Sequence, residues 1–242
     1  MRSTITIVAA ALLAIGIALS GWFVGQGFIT ARACDRFVTV KGVAERLVTA
    51  DLALWPIRFV TTSNDLAEAQ ERIAGDAQRV LGFLTTNGLP PESVEVESLQ
   101  VTDLLAQAYR SGPIESRFIV AQTLMVRTSD VDTVALASQR IGDLVAAGVV
   151  LSSEGQPSSG PVYLFTRLND IKPGMIAEAT KSAREGAEQF AKDSASRISG
   201  IRRASQGLFQ ILPQDDRPGI SQEKQIAKTV RVVSTIDYAL AD

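Results

Sequence analysis

From Thr4 to Ala31 the chain carries no charge at all; Arg32, Cys34, Asp35 and Arg36 then arrive together. Beyond that point apolar positions recur with two alternating periods. Phe37 to Gly42 alternates and breaks at glycine, and Leu52 to Val60 reads as a second extended run, so a strand pair is expected there. Pro56 cannot donate to a ladder, which places that strand at an edge or at a bulge. Asn64 or Asp65 then caps a helix with Leu66, Ile73, Val80 and Leu84 on one face, ended by Asn87-Gly88 and Pro90-Pro91.

The same order recurs. Val94, Val96, Leu99 and Val101 start a strand toward Tyr109, Ser111-Gly112-Pro113 turns, and Phe118 to Arg127 returns. Asp130 caps a helix carrying Val134, Ile141, Leu144 and Val145 inward as far as Gly148. Val149–Ser152 and Tyr163–Thr166 form another strand pair around the Gly/Ser/Pro-rich stretch from Gly155 to Pro161. A long helix is expected from about Pro173 to Ile198, with Ile176, Ala179, Ala183, Ala187, Phe190, Ala191 and Ile198 facing inward. Two final strands occupy about Ala204–Leu212 and Lys228–Tyr238, with an exposed polar loop between them. The order is ββα three times and then ββ. It predicts an α+β fold of about eight strands and three helices, its mixed or antiparallel sheet covered by helices on one face.

The opening segment sets the domain organisation: residues 1–33 as a transmembrane anchor and 34–242 as the domain it carries. As a helix at ~1.5 Å per residue the uncharged run is about 40 Å long, against a bilayer core of about 30 Å. Three fates are open to it. It is retained as an uncleaved signal anchor, or cut after the small-x-small triplet Ala31-Arg32-Ala33, or cut and lipidated at Cys34. Its length favours retention, and Arg32 breaks the usual lipobox. Gly21 and Gly25 form a Gly-x-x-x-Gly pair through which two anchors could approach closely. Positive charges flank the segment on both sides and do not fix its orientation, but large domains translocate largely regardless of charge. The expected location is therefore the inner membrane, single-pass, with the C-terminal domain in the periplasm.

Composition then removes whole classes of chemistry. None of the 242 residues is histidine, which excludes Ser-His-Asp and Cys-His catalysis and His-based metal sites. With a net charge of −2 and 6% aromatic residues, no nucleic-acid partner is expected. Cys34 is the single cysteine, so no internal disulfide forms, and its remaining options are an intermolecular bridge or lipidation. Glu92, Glu95 and Glu97 crowd a strand start, and Asp215-Asp216 sit in the polar loop. The first group reads as a solvated strand face, and two adjacent carboxylates are too few for a calcium cage. Lys181-Ser182 and Lys192-x-Ser194 place a serine near a lysine, but neighbours at such spacings do not face each other on a helix. No enzyme activity, cofactor or metal is expected.

Some sharper segments remain: Val38-Thr39-Val40-Lys41-Gly42, Ala50-Asp51, Trp55-Pro56, Phe165-Thr166-Arg167-Leu168-Asn169-Asp170-Ile171-Lys172-Pro173, and the helix from Ala177 through Phe190-Ala191. Together they resemble the SIMPL-domain family of bacterial envelope proteins, the periplasmic immunogenic protein-like group, in a membrane-anchored branch. That resemblance covers about Phe37 to the C-terminus. It implies an envelope location, an α+β domain and, in some members, a large ring-like or channel-like homo-oligomer; it brings no catalytic residues. The expected function is a non-enzymatic scaffold or channel-like assembly whose partners are further copies of itself and inner-membrane lipid. The rival expectations are a monomeric periplasmic ligand- or partner-binding module in envelope stress and, more remotely, a carboxylate-dependent hydrolase.

Overall fold

A computed structural model of the protein describes residues 2–33, 36–106, 115–154, 160–215, 219 and 221–241. In chain order the elements are α1 (Arg2–Ala33), β1 (Phe37–Thr49), β2 (Leu52–Ser63), α2 (Leu66–Thr86), β3 (Val94–Asp103), β4 (Phe118–Thr128), α3 (Val131–Gln139), α4 (Gly142–Ala146), β5 (Val162–Leu164), α5 (Leu168–Asp193), β6 (Arg197–Gln206), β7 (Gln210–Pro213) and β8 (Ala227–Ala241). Short 3-10 turns at Pro91–Ser93 and Gln222–Lys224 complete them. The α+β class matches the sequence expectation, and the described residues form eight strands, but the strand expected over about Ala204–Leu212 is split between β6 and β7, and four helices follow α1 where three were expected. The expected single sheet is also divided. There are two four-stranded sheets, one ordered β1-β8-β6 with β7 also on β8, the other ordered β3-β4-β2-β5.

This separates β1 from β2. Their short Ala50-Asp51 link reads as a hairpin, yet β1 pairs with β8 and β2 with β4 and β5. Both partners lie far along the chain, so no local turn signal records the choice. The expected strand at Val149–Ser152 shrinks to one bridge, Leu151 opposite Phe59. Pro56 does pair with Met125 of β4, and on its other flank it falls between the stretch covered by β5 and that bridge. A residue without an N–H is tolerated at such an interrupted edge.

The chain divides into two compact units. One comprises Met1–Glu45, Lys172–Gln210 and Arg231–Asp242, the other Arg46–Ile171 and Ile211–Val230. In the second unit, the odd residues Ala53, Trp55, Ile57 and Phe59 of β2 face Ala69, Ile73, Val80 and Leu84 of α2 in a large apolar core that also takes Val134 and Leu144. Asp65 caps α2, its carboxylate accepting from the Ala67 and Glu68 N–H groups at 2.7 and 3.1 Å. Gly88, at φ +85°, closes the same helix: the Gly88 N–H reaches the Thr85 carbonyl and the Leu89 N–H the Leu84 carbonyl. Asp130 caps α3 as expected, accepting from the Thr133 N–H at 3.1 Å. The helix expected to run on to Gly148 is instead two, because bonds at Arg140–Leu144 shorten to i→i+3 around Gly142.

In the first unit α5 lies on the sheet through small residues. Its buried positions are Met175, Ala179, Ala183, Ala187 and Ala191, spaced by four. The core there holds Val40, Ala183, Ala187, Ile236 and Tyr238. Two expected inward residues fall elsewhere. Phe190 is 60% exposed, one position off the alanine row, and Ile198 belongs to β6 opposite Leu240. The helix stops at Asp193 because Ala195 adopts φ +53°, so that Ala195 and Ser196 N–H groups cap the Lys192 and Ala191 carbonyls.

Of the expected anchor, the structure shows the helix and not the span. Alpha-helix α1 is continuous over 32 residues, but its described side chains are Ile7 and residues 13–27, all exposed. Among the described residues no helix is long and apolar enough to cross a membrane. Gly21 and Gly25 are exposed, and a Cβ on either would meet nothing within 4 Å. Cys34 lies outside the described residues.

Candidate functional site

The segments singled out in the sequence converge on two structural joints. The first is in the β1–β2 link. The Asp51 carboxylate accepts from the Thr166 N–H and hydroxyl, both at 2.9 Å, and from the Arg167 N–H at 3.1 Å. The Asp51 N–H in turn donates to the Leu164 carbonyl at 2.9 Å, and the Ala50 N–H to the Ile226 carbonyl at 2.8 Å. A carboxylate supplied from 115 residues away thus fixes the Thr166-Arg167 turn that leads into α5. This entry turn is why α5 starts at Leu168 and not at Pro173, which stands exposed inside the helix. Asn169 is exposed in the first turn, and the Lys172 ammonium lies 5.8 Å from the centre of the Phe209 ring.

The second joint is Gly42. A Cβ placed there would sit 1.8 Å from the Ala179 carbonyl oxygen and 2.5 Å from the Ala183 nitrogen, so helix backbone presses directly onto strand backbone. Glycine on β1 and alanine on α5 are two halves of one contact. Neighbouring Lys41 points the other way and is exposed. Trp55, 1% exposed, is a core residue, and with Pro56 it lines a groove of about 250 Å³ shared with Arg58, Ile141, Leu151 and Gly160. The Arg58 Nε is buried there without a hydrogen-bond partner, although its Nη2 reaches Gln100 at 3.1 Å.

Two further clefts carry polar side chains. One, about 680 Å³, runs between Thr61-Thr62 of β2 and Glu68, Arg72, Asp76 and Arg79 of α2. Asp76 sits on the buried face of α2 and is paired with Arg79. The other, about 590 Å³, takes in Ser138, Tyr163, Gln214, Lys224 and Gln225. Burial raises the Tyr163 hydroxyl above its usual value, against the hydrogen bond with Ser138. Lys224 donates to the Gly160 and Pro161 carbonyls, and the fully buried Lys228 donates to the Gln222 carbonyl. Burial lowers both ammonium groups below the usual lysine value, with Glu223 acting in the opposite sense. Neither lysine was marked by its sequence context; an isolated lysine in the strand pattern of β8 at an inward parity is the only signal for Lys228.

The other sequence candidates stay apart. Glu95 is exposed opposite Met125, and Glu97 is the extra residue of a bulge between Val96 and Ser98, so the two do not form a common carboxylate face. Asp215 is tied to Gln225 by two bonds, its N–H to Oε1 at 3.1 Å and its carbonyl from Nε2 at 2.8 Å; Asp216 lies outside the described residues. Lys181 pairs with Glu185 at 3.8 Å and leaves Ser182 out. Among the described residues no group of three or more His, Cys, Asp or Glu could hold a metal ion.

Two four-stranded sheets, an alanine-faced helix seated on a strand glycine and an aspartate clamped across to the entry of that helix define a two-unit α+β protein of the SIMPL type. The chain belongs to the SIMPL family: its family model, described as a protein of unknown function (DUF541), matches residues 38–235. A search of curated proteins finds no match.

Proposed function

We propose that this chain is a non-enzymatic envelope protein, held in the inner membrane by α1 with its SIMPL domain in the periplasm, and that copies of the domain assemble into a ring- or cage-like homo-oligomer serving as a scaffold or channel. One observation carries the self-assembly: the two sheets end on β3 and β6, long edge strands with no outer partner among the described residues. Such edges must be covered or used. The anchor is supported by the absence of charge from Thr4 to Ala31, a run long enough to span a bilayer. Size-exclusion light scattering on detergent-extracted protein tests the assembly, and a strict monomer at micromolar concentration ends it. A reporter fused after Asp242 tests the topology, phosphatase activity without cytoplasmic fluorescence being the expected result.

A second reading rests on the cleft of about 680 Å³ between β2 and α2, which has the size of a small-molecule site. It makes the protein a monomeric ligand- or partner-binding module. Its mixed charges, Glu68, Glu71 and Asp76 beside Arg72 and Arg79, largely satisfy one another, which leaves less for a ligand to bind.

A further inference from the structure

The two open edges are matched to each other. Strand β3, VEVESLQVTD, carries Glu95, Glu97 and Asp103 and no base; β6, RISGIRRASQ, carries Arg197, Arg202 and Arg203 and no acid. Each is ten residues long and each is the outermost strand of its sheet. The remaining edges lack this character: β5 has three residues, and β1 mixes Lys41 and Arg46 with Glu45.

Both strands also expose apolar side chains that a lone molecule would keep from water. Val96, Leu99 and Val101 are 63%, 51% and 51% exposed on β3, and Ile201 is 51% exposed on β6. Neither strand contains proline or lysine, the usual blocks to edge pairing. Bulges at Val96/Ser98 and between Ile198 and Arg203 make each edge irregular, so a generic extended chain pairs poorly and a strand of matching shape is required. Some of the charge is already engaged: Asp103 binds Arg117 at 2.8 Å, Arg203 stands opposite Asp237, and the Arg202 guanidinium lies 4.9 Å from the centre of the Phe37 ring. The sign of each edge nonetheless stays single.

We propose that β3 of one copy pairs edge-to-edge with β6 of the next, joining their sheets, with the acidic side chains of one edge beside the basic side chains of the other and the exposed apolar residues covered. This rests on the self-assembly proposed above and specifies its contact. The contact is heterologous, since different surfaces of the two copies meet, and repeating it generates rings or filaments in place of isolated pairs. Charge complementarity sets which edges meet and in which register.

The test uses the full chain in detergent and two charge-reversed forms, E95R/E97R on β3 and R197E/R202E on β6. Each alone has two edges of like sign and is expected to lose all species larger than a monomer at concentrations where the wild type is assembled. Mixed one to one, each supplies the edge the other lacks, and assembly returns; this rescue also shows that both forms are folded. Wild-type protein that assembles while either reversed form does so equally well overturns the β3–β6 contact and leaves self-assembly standing. Loss of assembly without rescue on mixing also overturns the contact. A monomeric wild type overturns both.

Discussion

At Gly42 the side chain is absent because the Ala179 carbonyl occupies its place, 1.8 Å from where a Cβ would be. Gly42→Ala is expected to lower stability by about 3 kcal/mol, the upper part of the usual cost of overpacking, since backbone cannot rotate away as a side chain can. Gly82, in the exposed interior of α2 with nothing within 4 Å, is the control. Gly82→Ala should raise stability by about 0.5–1 kcal/mol through helix propensity. Urea unfolding of both variants checks the contrast. Lys228 offers a pH test. Its folded pKa lies below the ordinary value of 10.5, so between the two the unfolded chain holds more protons. Stability therefore rises with pH through that alkaline window. Lys228→Met should flatten the rise in urea midpoints on the alkaline side below 10.5, and an unchanged slope would assign it to other groups such as Lys224.

Among the elements, α5 shows how a helix can be bounded by residues outside its own pattern. The turn into it is held by Asp51, whose three accepted bonds make Asp51→Ala cost about 1–3 kcal/mol, as loss of hydrogen bonds to a charged group does. Its exit places Ala195 at φ +53°, a conformation that disfavours any Cβ. Ala195→Gly is accordingly expected to raise the urea midpoint, by about 0.5–1 kcal/mol in stability. Helix α2 is legible in the sequence because Asp65, the apolar face and Asn87-Gly88 are all local signals. The start of α5 is not, since the residue that holds its entry turn sits across the chain at Asp51; nor is its end, since an alanine in place of glycine gives no stop signal. Phe190 was drawn inward by its hydrophobicity, whereas the actual stripe follows the alanines that Gly42 admits.

On the scale of the whole molecule, most strands are readable from alternation, Val149–Ser152 and the start of β6 excepted, and strand partnership is not. Beta-strand β1 meets β8 near the other end of the chain, with the Leu240 N–H on the Arg36 carbonyl at 3.0 Å and the Thr39 hydroxyl on Asp237 at 2.7 Å. Alternation announces a strand but not its neighbour, so one sheet was expected where two exist. Of the candidate site, the residue types were marked by the family resemblance, while their joining into an aspartate clamp and a glycine–alanine contact needed the fold. The described side chains of α1 are all exposed, and none enters either core. Removing residues 1–33 should therefore leave the thermal midpoint of the remaining domain within a few degrees of its full-length value. Under the proposed anchoring by α1, the full chain should sediment with membranes and the truncated protein should appear in the soluble fraction; equal distribution of the two would end that proposal.

Only residues 34–36 separate the end of α1 from the first residue of β1, a leash of at most about 14 Å when fully extended. For a chain held in a bilayer, so short a leash fixes the height of the β1 end above the headgroups. Under the proposed self-assembly, collisions between copies would then become a planar search, and crowding in the membrane, more than the strength of any single contact, would set when they join.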